Sequence, residues 1–104
     1  FVAEIIREKI FERYKKEVPY SSAVVVESFK EENKLIRIRA EIIVERDTQK
    51  GIMIGHHGKA LKKIGTLARL KMESFLGKKV FLELYVRVNK DWRKNNRALK
   101  KLGY

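Results

Sequence analysis

The sequence predicts an α+β fold in which a mixed, three-stranded sheet carries helices on one face. Three observations support this fold class. Apolar side chains recur at helical spacing in the first 16 residues, three later segments have strand patterns, and a long helical pattern separates the second strand from the third. Because a sheet this small must bury its apolar face, we expect the helices to pack against it.

The first helix is predicted over residues 1–16. Apolar side chains recur every four residues there, at Val2, Ile6, Ile10 and Tyr14. This spacing places one apolar stripe along an amphipathic helix. We expect the helix to end before Pro19, because a proline cannot donate a helical hydrogen bond.

Two strands joined by a polar turn are predicted next, over residues 23–29 and 35–45. The first is rich in valine, and the second alternates apolar with charged residues, the apolar ones being Ile36, Ile38, Ala40, Ile42 and Val44. Consecutive strands with so short a connection pair antiparallel. The pattern therefore indicates a hairpin with one buried face.

Two helices and a third strand complete the predicted order. Asp47 or Thr48 is expected to cap a short helix that ends at Ile54, since either side chain can accept from the free amides of a first turn. A longer helix follows from Lys59 to Gly77, with Met72 and Phe75 assigned to the core by their spacing. The strand at residues 80–88 returns through two helices, so it can pair in either direction.

Size, composition and charge narrow the class of protein. A chain of 104 residues makes one domain, here with a basic tail over about residues 90–104, and it has no cysteine. The absence of cysteine slightly favours an intracellular location. No apolar run approaches the roughly 18 residues of a membrane span. The start at Phe1 and not at methionine suggests a piece cut from a longer protein.

The net charge lies entirely in the second half of the chain. Residues 1–49 hold ten Lys/Arg and ten Asp/Glu, whereas residues 50–104 hold fifteen and three, which accounts for the net charge of +12. Like charges this concentrated do not help folding, but they attract a polyanion. The charge distribution therefore favours nucleic-acid binding.

The segment GIMIGHHGKALKKIG, residues 51–65, joins the two central helices. Gly55 and Gly58 allow positive φ angles and the close approach of another backbone. The amides at the start of the following helix favour an anion. Lysines and apolar side chains surround this joint, at Ile52, Ile54, Lys59, Leu61, Lys62 and Lys63. The segment is therefore predicted to bind a phosphate backbone and to offer an apolar surface for a base.

The same residues resemble a known family. The stretch IMIGHHGKALKKIG, residues 52–65, is similar to the Ile-Gly-x-x-Gly helix-loop-helix of K-homology (KH) domains, and the order of helices and strands resembles the type II form of that fold. Together with EVPYSSAVVVESF and VRVNKDWRKN, it resembles the C-terminal KH domain of the Era family of bacterial ribosome-assembly GTPases. The resemblance covers almost the whole chain.

The resemblance implies a domain that binds single-stranded RNA, near the 3′ end of small-subunit ribosomal RNA, on the small ribosomal subunit. No preference for DNA is expected. The groove is expected to be formed by the short helix, the glycine loop, the long helix and the edge of the second strand. The residues expected to contact RNA are Ile43, Lys50, Ile52, Ile54, Gly55, His56, His57, Gly58, Lys59, Leu61, Lys62 and Lys63.

The resemblance also implies a GTPase domain outside these residues, which would hold GTP and Mg²⁺. The chain has no G-x-x-x-x-G-K-[ST] phosphate loop, because Met53 stands in place of the first glycine and Ala60 in place of the hydroxyl residue. We therefore expect no cofactor and no enzymatic activity in this chain. A cytoplasmic location is expected, with a peripheral contact to the inner membrane face allowed for the intact protein.

Several alternatives remain open from the sequence. The chain can be a basic module that docks on ribosomal protein or membrane headgroups without using the loop, or, less in keeping with its residues, a histidine- or metal-dependent nuclease. His56 and His57 can also be two polar residues in a turn. Gly65 is expected to allow close packing, and Trp92 to pack the tail onto the fold, in preference to direct RNA contact.

Overall fold

The computed structural model describes residues 1–14, 17–90 and 92. Its elements follow the order α1 (Val2–Arg13), α2 (Glu17–Tyr20), β1 (Ala23–Glu31), β2 (Leu35–Val44), α3 (Asp47–Ile54), a 3-10 turn (His56–Gly58), α4 (Lys59–Leu76) and β3 (Lys79–Val88). Apart from the one-turn helix α2, this is the predicted order. Most of the basic tail, residues 91 and 93–104, lies outside the described residues.

The first helix is shorter than predicted. It ends at Arg13, and Tyr14 has extended backbone angles of φ −106° and ψ 149°. The Tyr14 hydroxyl donates to the carbonyl oxygen of Met53 at 2.6 Å, which ties the end of α1 to the end of α3. Burial of the ring raises the pKa of the Tyr14 hydroxyl above its ordinary value. This tertiary contact therefore lies at the residue where the backbone changes from helical to extended.

The sheet has the strand order β1-β2-β3. Strands β1 and β2 are antiparallel, with a bulge between Val26 and Ser28. Strand β3 runs parallel to β2, from the pair Leu35–Lys79 to the pair Val44–Val88. The prediction of a three-stranded mixed sheet is confirmed, and the two intervening helices supply the long crossover that a parallel pair needs.

The core lies between one face of this sheet and the helices. Its fully buried side chains come from α1, β2, α3 and α4, and include Ile6, Ile10, Ile38, Ile42, Met53, Ile64 and Met72. The alternation predicted for β2 places Ile36, Ile38, Ala40, Ile42 and Val44 in this core, as expected.

A second, smaller cluster lies on the other face of the sheet. Ala23, Ile43 and Trp92 are buried together there. Trp92 is 4% exposed, and its indole Nε1 donates to the carbonyl oxygen of Ser21 at 3.0 Å. The prediction that Trp92 packs onto the fold is confirmed.

The prediction for Phe75 is wrong. The side chain is 65% exposed, and its ring meets that of Phe1 edge to face at 5.6 Å between centroids. Ile64, Ala68 and Met72 on the same stripe are buried. Helical spacing indicates which side of α4 faces the core, but not how far along the helix the core extends.

The capping prediction for α3 is also wrong in detail. Neither Asp47 nor Thr48 caps the helix. The side-chain oxygen of Gln49 accepts from the amides of Glu45 and Arg46 at 3.1 and 3.0 Å. Gln49 is buried, and its side chain provides hydrogen-bond partners for the backbone amides of the turn that leads from β2 into α3.

Candidate nucleic-acid interface

The loop between α3 and α4 has a backbone shape that two glycines make accessible. Gly55 has φ 76° and ψ −179°, and Gly58 has φ 73° and ψ 10°. A Cβ atom on Gly55 would lie 2.6 Å from Cβ of Ala60, whereas one on Gly58 would meet nothing within 4 Å. Gly55 is therefore required by both its backbone angles and its packing against α4, and Gly58 by its angles alone.

Two of the loop amides are already used inside the loop. The amide of Gly58 donates to the carbonyl of Gly55 at 3.2 Å, and the amide of Lys59 donates to the carbonyl of His56. The backbone anion site is therefore smaller than the sequence predicts. Positive charge at this place comes from the start of α4 and from the lysines of its first turn.

The histidines between the glycines are exposed. Their ring centroids lie 4.0 Å apart with an interplanar angle of 63°. His57 has φ 54°, a left-handed conformation that is uncommon for a residue with a side chain. Within the described residues, no group of three His, Cys, Asp or Glu side chains is arranged to hold a metal ion. The geometry presents two polar rings to solvent beside a cationic helix start.

A groove with a volume of about 310 Å³ opens beside this loop, between α4 and β3. On the α4 side it is lined by one stripe of residues three and four apart, and on the β3 side by two leucines: Gly58, Leu61, Lys62, Gly65, Thr66, Arg69, Leu82 and Leu84. The walls are thus mostly apolar, with three polar side chains along one of them. A base can lie on such a surface while its edge meets the polar groups.

The sequence on either side of the loop lacks acidic residues. No Asp or Glu occurs between Asp47 and Glu73. Lys59, Lys62 and Lys63 are exposed within the first two turns of α4. The loop and the first turns of α4 therefore attract phosphate with no acidic residue in the sequence between Asp47, at the start of α3, and Glu73, near the end of α4.

Most of the predicted contact residues come together in this region. The loop residues Gly55, His56, His57 and Gly58 adjoin Lys59, and Leu61 and Lys62 line the groove. Ile52 is 54% exposed on α3, and Lys50 is partly exposed on the same helix. Ile54 is partly buried against the core, and Lys63 is exposed on α4 but does not line the groove.

The prediction for the second strand is corrected by the topology. Strand β2 lies between β1 and β3, so its edges are both paired. Ile43 is 1% exposed and packs with Ala23 and Trp92 on the face away from the helices. The strand that borders the groove is β3, which lies at the edge of the sheet and contributes Leu82 and Leu84 to the lining.

Sequence reasoning missed five of the groove residues, which are Gly65, Thr66, Arg69, Leu82 and Leu84. The missed residues of α4 follow Gly58 at spacings of three and four, so the helical pattern of the sequence could have identified them. The sequence predicts close packing at Gly65, yet a Cβ there would lie 3.6 Å from Leu84 Cδ1, an ordinary contact distance. The packing interpretation of Gly65 is therefore not supported. Leu82 and Leu84 could not be told from core residues.

Sequence comparison finds relatives that match almost the whole chain. The chain is 59% identical over 104 residues to the GTPase Era of Geobacter metallireducens, covering 98% of the chain and 35% of that protein. It is 52% identical over 102 residues to the GTPase Era of Coxiella burnetii, again covering 98% of the chain and 35% of that protein. The chain thus spans about a third of the length of these relatives.

Two solved structures have the same fold. One is a variant of Aquifex aeolicus Era bound to GDP·AlF4⁻, with a TM-score of 0.94. The other is Era in complex with MgGDPNP and nucleotides 1506–1542 of 16S ribosomal RNA, with a TM-score of 0.95. Each is 42% identical to this chain and covers 99% of it and 35% of the solved chain.

The family model described as KH domain matches residues 17–93, which is more than half of the chain. The matched segment contains the glycine loop, α4, the sheet and therefore the groove. The resemblance deduced from the residues is confirmed, and the chain belongs to the KH domain family.

Proposed function

We propose that this chain binds single-stranded RNA in the groove between α4 and β3, with the backbone of the RNA passing over the Gly55–Gly58 loop. One observation carries the proposal, namely that the apolar groove opens directly beside a cationic loop in which glycines permit close approach. About four nucleotides occupy a groove of this kind. Lys59 and Lys62 attract the phosphates, while Leu61, Leu82 and Leu84 contact the bases.

The proposed target is small-subunit ribosomal RNA near its 3′ end. The similarity to Era supports this target, because a solved Era structure contains nucleotides 1506–1542 of 16S ribosomal RNA. In the same proposal, the chain is the RNA-binding domain of a ribosome-assembly GTPase that acts in the cytoplasm, and the small ribosomal subunit is its partner. GTP and Mg²⁺ would bind to the remaining part of that protein, since this sequence lacks the phosphate loop that would hold them.

Within the described part of the chain, none of the helices has the length and apolar character needed to cross a membrane.

The test is a fluorescence anisotropy titration with short single-stranded RNA of the ribosomal 3′-end sequence, a scrambled control and a duplex of the same sequence. The matched variant carries His56→Asp and His57→Asp together, with both glycines kept. Aspartate is tolerated in loops and is mildly favourable near a helix start, by about 0.3–1 kcal/mol, so the fold should persist. Its carboxylates would oppose the phosphate backbone and should remove most binding at physiological salt.

The corresponding alanine variant should lose less, because the glycines and the lysines remain. If the aspartate variant folds and binds single-stranded RNA as well as the parent, the loop is only a turn and the basic tail from Lys90 onward becomes the candidate contact. Equal affinity for duplex and single strand would favour the basic docking module. Cleavage of the RNA by the isolated chain would instead favour the nuclease.

A further inference from the structure

Arg69 occupies the end of the groove that is far from the glycine loop. It follows Gly58 by eleven positions on the lining stripe of α4, which corresponds to about 16 Å along the helix axis. Its side chain is 37% exposed. The groove therefore ends on a guanidinium group that the phosphate-attracting loop does not reach.

Glu73 holds this guanidinium in place. Its two carboxylate oxygens lie 3.2 and 3.1 Å from Arg69 Nη1. The same carboxylate accepts from the amide of Val80 at 2.8 Å, at the start of β3. Glu73 thus connects the two walls of the groove, and an ordinary exposed pair four residues apart on a helix would have no such third partner.

The charge of this pair indicates which part of an RNA it meets. The Arg69 and Glu73 charges cancel, so the far end of the groove does not attract a phosphate as the lysine-rich loop does. In the described part of the chain, the side-chain hydrogen bonds of Arg69 all use Nη1. The planar guanidinium has further N–H donors and no acceptor.

Two adjacent N–H groups of the guanidinium form a donor fork. This fork fits a base that presents two adjacent acceptors. Cytosine does so through N3 and O2, and guanine through O6 and N7. Adenine and uracil alternate donors and acceptors along the corresponding edges, so they leave one guanidinium donor unmatched. Unstacked bases in single-stranded RNA expose these edges for recognition.

We propose that Arg69 is a specificity-determining residue that selects cytosine or guanine at the far end of the groove, and that Glu73 is its positioning residue. This inference rests on the proposed function, because it concerns the same groove. It assigns base choice to the α4–β3 junction and backbone attraction to the loop, about 16 Å away along α4.

The experiment uses a set of short single-stranded RNAs in which each position carries each of the four bases in turn. For the parent chain, one position should bind cytosine or guanine at least about fivefold more tightly than adenine or uracil. Arg69→Lys keeps the charge and removes the fork, so this ratio should fall to within about twofold. Glu73→Gln keeps an acceptor for the Val80 amide but loosens the arginine, so it should lower the ratio partly.

The matched control is Arg37→Lys. Arg37 also pairs with a glutamate, Glu32, at 2.7 Å, but it lies on the sheet face away from the groove, beside Phe81. This variant should keep the parent ratio. Thermal unfolding of each variant shows that the ratios are compared between folded proteins.

An unchanged ratio in Arg69→Lys, or a parent preference for adenine or uracil at every position, would overturn the inference while leaving groove binding intact. Failure of the parent to bind single-stranded RNA at all would overturn the proposed function and this inference together. The double aspartate variant of the loop distinguishes failure of base selection from failure of RNA binding. It should lower the affinity for every RNA in the set without changing the order of preference among the four bases.

Discussion

Replacement of Gly55 by alanine should strongly destabilise the domain. Gly55 has φ 76° and ψ −179°, a region that is essentially restricted to glycine and costs other residues about 1–3 kcal/mol. The added methyl group would also lie 2.6 Å from Cβ and 3.1 Å from the backbone nitrogen of Ala60, so α4 would have to move. Overpacking of this kind costs about 1–3 kcal/mol.

The two contributions together amount to about 2–6 kcal/mol, a large part of the 5–15 kcal/mol that stabilises a typical domain. For a domain near 100 residues, each kcal/mol lowers the melting temperature by about 4–8 °C. We therefore expect Gly55→Ala to melt at least about 8 °C below the parent. Thermal and urea unfolding, followed by far-ultraviolet circular dichroism, measure this difference.

Two other glycines provide controls. Gly58→Ala meets no atom within 4 Å and carries only the cost of a left-handed backbone, about 1–2 kcal/mol. Gly51→Ala lies inside α3 with open space around it and should stabilise by up to about 1 kcal/mol. The expected order of stability is Gly51→Ala, parent, Gly58→Ala, Gly55→Ala. A Gly55→Ala variant at least as stable as Gly58→Ala would refute the argument from backbone and packing.

Three further predictions follow from the same geometry. RNA affinity should fall with salt by about 0.7 log units per log unit for each phosphate contact, and three or four contacts are expected, so a slope near zero would contradict the electrostatic role of the lysines. Gly65→Ala should keep or raise the melting temperature, because its Cβ meets Leu84 at an ordinary 3.6 Å, yet weaken RNA binding several-fold by narrowing the groove. A clear loss of stability would restore the packing explanation of Gly65. The Val80 amide and, after it, Arg69 hold the pKa of Glu73 below its ordinary value of 4.5. Its contribution to stability is therefore present above about pH 4.5 and is lost as the pH falls through the lower folded value, so Glu73→Gln should flatten this part of the acid unfolding curve. An acid unfolding curve of the same shape in the variant would show that Glu73 does not contribute to stability in this pH range.

The sequence alone determined the order of the elements and the position of the loop. Alternation along Ile36–Val44 and four-residue spacing from Val2 to Tyr14 depend on neighbours in the chain, so they identify faces of strands and helices without a structure. The same holds for the joint at Gly55–Gly58, where the residue types themselves indicate an unusual backbone. The sequence also predicts that Trp92 packs onto the fold, since a single large ring after a strand favours burial.

Only the tertiary structure decided which strand borders the groove and what lines it. The parallel pairing of β3 with β2 depends on long-range packing of the crossover helices, and it places Leu82 and Leu84 beside α4 while leaving Ile43 buried on the opposite face. Gly65 and Arg69 line the groove because the same pairing places β3 beside α4. Local pattern gives the direction in which a side chain points, whereas the identity of its neighbours depends on contacts between segments distant in sequence, which no local pattern records.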